Sequence, residues 1–184
     1  MLCFLASEGG ALVTFSKNRA LMSSKIYVSD STLGQGVFAN VPIEPRETIF
    51  YLTGKLIRFD EAAAATHGEY STQIGIDSYV DPYSPARYLN HSCAPNSGFV
   101  DEIRLIALRQ IKPGEEIQSD YSTTMLERYW ELDCSCGVSQ CRQRIRDFDL
   151  IPIALQTHYL RLGIVQDFIV NEIDSVRSLA QRVA

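Results

Sequence analysis

Arg87-Tyr88-Leu89-Asn90-His91-Ser92-Cys93-Ala94-Pro95-Asn96 brings an amide, an imidazole and a thiol together between Asn90 and Cys93 and closes on a proline. Taken singly, a buried Asn-His pair more often belongs to a satisfied core network than to a site. A second group of thiols changes that reading: Cys134-Ser135-Cys136-Gly137-Val138-Ser139-Gln140-Cys141 is a C-x-C-x4-C cluster. Its thiolates leave a tetrahedral zinc ion one ligand short, and either His91 or Cys93 can supply the fourth bond across the fold. Cysteines that serve as small buried apolar side chains have no need of such clustering. A disulfide framework fits worse, because the 5 cysteines make an odd total. A bridge between Cys134 and Cys136, separated by one residue, would also be badly strained.

The chain has 184 residues, 46% of them hydrophobic, enough for one good core and a small appendage but not for two full domains. Its formal charge of -5 comes without a Lys/Arg-rich block, so the electrostatic footprint of a nucleic-acid binder is missing and a basic, Lys-rich partner fits better. No apolar run is long enough to span a bilayer, and residues 1–10 lack a charged n-region and an A-x-A-like cleavage site. The expectation is a soluble, intracellular protein, cytoplasmic in a bacterium. Residues 1–24 read as an N-terminal extension, or as the product of a misassigned start, since Met22-Ser23-Ser24-Lys25 directly precedes an obvious strand.

From Lys25 onward, short β-branched and aromatic stretches at 26–28, 37–39, 48–52, 78–80, 104–107 and 116–121 are separated by Gly, Pro, Asp and Asn, which predicts many short strands. A helical interruption is expected at 59–65, capped by Asp60. After Ile153, apolar residues recur at helical spacing, Leu155, Tyr159 and Leu162 first, then Val165, Phe168, Ile169, Ile173 and Val176, with Gly163 between the two runs. The tail therefore reads as two helices bracing a strand-rich body, and the fold class as mainly β with C-terminal helices.

The 87–96 segment resembles the R-[FY]-[IL]-N-H-S-C-x-P-N signature of the SET methyltransferase family at every defined position. Gly114-Glu115-Glu116-Ile117-Gln118-Ser119-Asp120-Tyr121 is similar to that family's G-E-E-[LI]-x-x-D-Y motif, and the C-x-C-x4-C cluster to its post-SET module. Two softer matches come earlier: Gly34-Gln35-Gly36 resembles the G-x-G segment and Tyr51-Leu52-Thr53-Gly54 the Y-x-G strand. The resemblance implies a SET-domain (β-clip) fold, a pseudoknot of short sheets in which the Asn90-His91 segment threads a loop closed near Tyr121. It divides the chain into an extension at 1–24, a SET domain at 25–122, a post-SET zinc module at 123–148 and a helical extension at 149–184.

The resemblance also implies S-adenosyl-L-methionine (SAM) and Zn2+ as cofactors and a lysine-containing protein or peptide, a histone-like tail among the candidates, as substrate. Gly34 and Gly36 would let the backbone approach the methionine end of SAM. Asn90 would bond its amino or carboxylate group, the backbone beside His91 would read its adenine, and Arg87 and Trp130 belong to the same site. Cys93, Cys134, Cys136 and Cys141 would hold the zinc. Tyr121 would be the catalytic residue beside the transferring methyl, and Tyr51 would line the lysine channel. Seen alone, Tyr51 is an ordinary strand-core tyrosine, Gly34 and Gly36 an ordinary turn, and Trp130 a staple of the zinc module. Strand alternation places Ile117, Ser119 and Tyr121 on one face. Many family members carry Phe or Tyr at the Ser119 position, where bulk limits the number of methyl groups, so Ser119 suggests room for di- or trimethylation. Two rival readings are a SET-fold binding module without turnover and a zinc hydrolase, the latter opposed by a fully thiolate-filled metal shell. Oligomeric state and target lysine are not readable from the sequence.

Overall fold

The computed structural model describes the backbone of residues 24–183 and the side chains of 24–175. The expected extension before Ser24, with its alternative start at Met22, lies outside the described residues. Strands along the chain are β1 (Ile26–Ser31), β2 (Gly34–Ala39), β3 (Thr48–Tyr51), β4 (Gly54–Ile57), β5 (Thr72–Gly75) and β6 (Ser78–Pro82). They continue with β7 (Asn90–His91), β8 (Ser97–Val100), β9 (Arg104–Ala107), β10 (Glu116–Ser119), β11 (Leu132–Asp133) and β12 (Arg144–Ile145). The helices are α1 (Phe59–Ala64), α2 (Ile153–Leu162) and α3 (Asp167–Val183).

The strands form small sheets with the orders β1-β2-β10-β7, β3-β9-β8, β4-β6-β5 and β11-β12. In the first, β7 runs parallel to β10, with Asn90 opposite Gln118 and His91 opposite Ser119. Two segments far apart in sequence thus lie side by side, the neighbourhood that the expected threading requires. The β11-β12 hairpin pairs Leu132 with Ile145 and Asp133 with Arg144. It brackets the three clustered cysteines, and the Cys134 amide donates to the Gln143 carbonyl at 2.8 Å.

One apolar core, including Val37, Ile49, Phe50, Leu52, Leu105 and Ile117, lies among the first two of these sheets. A second joins the tail to the body: Tyr159, Ile164, Val165 and Ile169 pack with Val100, Ile106 and Phe148. The two expected C-terminal helices are present, and Gly163 ends α2 in the left-handed conformation, φ 67°, which glycine adopts without a Cβ clash. Val165 lies in the loop before α3 and not within it. Gln166 pins that loop by donating from its backbone to the Thr123 carbonyl at 3.1 Å and from its side chain to the Glu102 carbonyl at 2.8 Å.

Two local expectations are corrected. Asp60 does not cap α1; Glu61 reaches back to accept from the Arg58 amide at 3.1 Å and Asp77 accepts from the Phe59 amide at 3.0 Å. Asp60 already sits inside the first turn, past the position from which a side chain closes the helix end. The strand at 116–121 also stops early. Asp120 accepts from the Ser122 amide at 3.1 Å, and the chain turns into a 3-10 helix at Tyr121–Thr124. A local side-chain bond of this kind draws the backbone out of its ladder, so the strand alternation that grouped Tyr121 with Ser119 does not extend to Tyr121.

The Gly54 of the Y-x-G segment has a steric reason. A Cβ there would lie 2.1 Å from the Asp81 carbonyl oxygen, across the β4-β6 pair. Gly54→Ala is expected to push these strands apart and cost about 3 kcal/mol. A lower urea midpoint at an unchanged m-value checks this.

Candidate active site

The parallel β7-β10 pair sets the chemistry of the site. Asn90 donates from Nδ2 to the Gln35 carbonyl at 3.0 Å and to Glu116 Oε1 at 2.7 Å, which joins β7 to β2 and β10. Gly36 makes room for this arrangement, because a Cβ there would fall 2.4 Å from Glu116 Oε1. Gly34 takes φ 100° at the close of the β1-β2 turn. With both amide hydrogens committed, Asn90 has its side-chain oxygen to offer a ligand, an acceptor suited to an ammonium group and not to a carboxylate.

His91 is buried, and burial lowers its imidazole pKa to about 4, so the ring is neutral. Its Nδ1 accepts from the Tyr121 amide at 3.2 Å. The proton therefore sits on Nε2, which lies 3.3 Å from Cys93 Sγ and donates to it. Tyr121 packs edge-on against the imidazole, with ring centroids 5.3 Å apart. Its hydroxyl donates to the Leu89 carbonyl at 2.6 Å, and burial pushes the phenol pKa well above its ordinary value.

Tyr121 opens onto a cleft whose walls include Ser119, Arg87, Phe99, Tyr79, Glu127 and Trp130. Arg87 bonds Asp81 at 2.8 Å and lies over the Tyr70 ring at 4.9 Å. Trp130 meets Tyr129 edge-on at 4.8 Å and packs on Phe59 and Tyr79 at 6.1 and 6.3 Å. It is at once a staple on the body and a wall of the cleft. Ser119 lines the cleft from the end of β10, and Tyr121 does so from the 3-10 turn that follows. Gly34 and Gly36 lie on β2 and Asn90 and His91 on β7, and none of the four is among the residues lining the cleft. Tyr51 ends β3 opposite Arg104 and is not among the residues lining the cleft.

Sequence reasoning missed Tyr79 as a site residue and read Glu127 only as one of several acidic residues on a solvated or peptide-attracting face. Burial, then the charge of Asp147, raises the Glu127 carboxyl to about 7. Tyr79 is buried and its hydroxyl has no hydrogen-bond partner among the described residues. Nothing in a single sequence marks either residue, since Glu127 falls in an irregular loop and Tyr79 reads as a strand-core aromatic.

Cys93 is buried beneath the hairpin, and its Sγ stands 3.8 Å from Cys134 Sγ. A tetrahedral zinc with bonds of about 2.3 Å separates its sulfurs by about 3.8 Å, so this spacing suits such an ion. His91, Cys93, Cys134 and Cys136 have donor atoms within 4.8 Å of one another. Cys141 is adjacent, its thiol directed at the Cys134 carbonyl at 3.6 Å. The Arg142 amide donates to Cys93 Sγ at 3.4 Å, a polarity that stabilises a thiolate. The donor set is therefore chemically fit for zinc.

The sequence matches the SET domain family over residues 34–122. It is 28% identical over 147 residues to human histone-lysine N-methyltransferase 2D, an alignment covering 70% of this chain and 3% of that protein. It is also 33% identical over 129 residues to trithorax of Drosophila virilis, covering 60% of this chain and 3% of that one. The chain thus spans only a small fraction of these relatives. Among solved structures, KRYPTONITE in complex with mCHH DNA, an H3(1-15) peptide and SAH superposes with a TM-score of 0.53 at 26% identity, over 66% of this chain and 29% of that one. No helix among the described residues is long and apolar enough to cross a membrane. The signature segments, the parallel pairing that joins them and the family match agree in one likeness: residues 34–122 of this chain are similar to a SET domain.

Proposed function

We propose that the chain is a SAM-dependent protein-lysine N-methyltransferase. The observation that carries this reading is the position of Tyr121, which lines the cleft beside Ser119 while its amide and ring meet His91 of β7. Relatives named histone-lysine N-methyltransferases and a structural neighbour holding SAH support it. Gly34, Gly36, Arg87, Asn90, His91 and Trp130 are the residues that would hold the cofactor, the Asn90 oxygen offering an acceptor for its ammonium group. Bound SAM supplies a methyl group on a sulfonium.

The chain's own residues prepare the nucleophile. A lysine amine has a pKa of about 10.4 and must lose its proton before it can attack. The aromatic walls of the cleft, Tyr79, Phe99 and Trp130, disfavour the ammonium by desolvation. Tyr121 spends its proton on the Leu89 carbonyl, so it faces the reaction with lone pairs only. It accepts from the amine N–H or a methyl C–H and aligns the attack. Its raised pKa keeps it neutral, so it is neither base nor nucleophile. Tyr51, expected in the lysine channel, ends β3 outside the cleft and is given no part in it.

Cys93, Cys134, Cys136 and Cys141 hold the zinc. His91 stands behind Cys93, since its Nε2 carries the proton that bonds the sulfur and an N–H cannot coordinate. The organisation that follows is a SET domain to 122, a zinc module at 123–148 and a helical extension at 149–184. The substrate is a basic lysine-containing protein or peptide, consistent with the net charge of -5, and a histone H3-like tail is the first candidate because the neighbour holds such a peptide.

Tyr121→Phe is expected to lower transfer of labelled methyl from SAM to Lys-rich peptides by about 100-fold, with SAM affinity retained; equal turnover in both proteins would exclude Tyr121. The purified protein should carry one zinc, and Cys136→Ser should lose metal, by elemental analysis, together with the protease resistance of the 123–148 segment. Because Ser119 replaces a bulky side chain beside Tyr121, the exhaustive product is expected to be di- or trimethyl-lysine by mass spectrometry, and Ser119→Tyr should shift it to monomethyl-lysine.

A further inference from the structure

Directly before Tyr121, Asp120 is a carboxylate whose side chain is fully buried. Its Oδ2 accepts from Arg142 Nη1 at 2.6 Å and from the Tyr159 hydroxyl at 2.8 Å. Its Oδ1 accepts from Arg142 Nη2 at 2.8 Å and from the Ser122 amide at 3.1 Å. Three separate elements meet there: the end of β10, the residue after Cys141, and α2 of the tail. Both Arg142 and Tyr159 lie outside the SET match at 34–122.

A helix that merely braced the body would have no use for the Tyr159 hydroxyl. Tyr159 is 2% exposed within an otherwise apolar core, where phenylalanine would pack as well and avoid burying a polar oxygen. The hydroxyl is accommodated because it meets Asp120. That carboxylate in turn accepts from the Ser122 amide and so fixes the turn in which Tyr121 leaves the sheet. The Tyr121 ring is then held by its own amide on His91 Nδ1 and its hydroxyl on the Leu89 carbonyl. Arg142 alone would tie the carboxylate to the cysteine module only, whereas Tyr159 ties it to the tail as well.

We infer that Tyr159 is a positioning residue for methyl transfer, acting through Asp120 to set the turn that carries Tyr121, and that α2 is thereby tied to the reaction centre. The inference rests on the methyltransferase reading.

The test is Tyr159→Phe, which removes one oxygen and keeps the ring. Its kcat is expected to fall about tenfold, the scale of one hydrogen bond to a charged group, while KM for SAM and for the peptide stays within about twofold. By hydrogen exchange, the Ser122 amide should exchange about tenfold faster while the β9 amides of Leu105 and Ile106 keep their protection. Ile169→Val, in the same apolar core but away from Asp120, serves as the control, with lowered melting temperature and unchanged kcat. Wild-type kcat with unchanged Ser122 protection in Tyr159→Phe would overturn the inference. So would a kcat loss that Ile169→Val reproduces in proportion to its loss of stability. Should the wild-type protein transfer no methyl to any Lys-rich peptide, the methyltransferase reading fails, and the exchange of Ser122 still decides whether Tyr159 sets the turn.

Discussion

The parallel contact between Asn90–His91 and Gln118–Ser119 is the constraint on which the other arrangements rest. It is short, with two residues on each side, and parallel pairs of this size contribute little by themselves. Side chains reinforce it. Asn90 ties β7 to the Gln35 carbonyl and to Glu116, and Asn96 donates to the Glu116 carbonyl at 2.7 Å and accepts from the Gln118 amide at 2.9 Å. Half-buried Asn90 and buried Asn96 both fasten onto β10 in this way, and side-chain amides so committed fix one register where backbone pairing alone would tolerate others.

From that register follows the position of every group proposed for the chemistry. His91 falls beside Tyr121, Cys93 falls beneath the hairpin that carries Cys134, and Leu89 presents its carbonyl to the Tyr121 hydroxyl. The cleft and the thiolate cluster are therefore two sides of one contact. The imidazole of His91 stands between them, accepting from the Tyr121 amide on one side and donating to the Cys93 sulfur on the other.

A buried carboxylate is costly unless charge and hydrogen bonds surround it. Asp120 meets that requirement by drawing Arg142 from the cysteine module and Tyr159 from the tail into the body of the domain. Segments that share few apolar contacts with the first sheet are thus tied to it through a single charge. The apolar packing of α2 and α3 on β8 and β9 supplies affinity, while the Asp120 contacts supply orientation.

Much of this was legible in the linear chain. The six expected strand stretches all lie in or over observed strands, and Gly163 separates the two helices as its conformational freedom suggests, because alternation and turn residues act locally. The cysteine spacing pointed to a metal for the same reason: ligands within one stretch of eight residues can meet without help from the rest of the fold. Strands β4, β5, β7, β8, β11 and β12 were missed, since runs as short as Asn90–His91 have no pattern of their own and exist only through partners. The alternation that placed Tyr121 on a strand face failed because the Asp120 side chain, a tertiary hub, ends the strand first. Whether His91 or Cys93 faces the thiolates as a ligand depends on which imidazole nitrogen the Tyr121 amide occupies. That choice, like the burial of Glu127 and Tyr79 in the cleft wall and the reach of Tyr159 to Asp120, depends on contacts between residues distant in sequence, which only the folded chain brings within hydrogen-bond range.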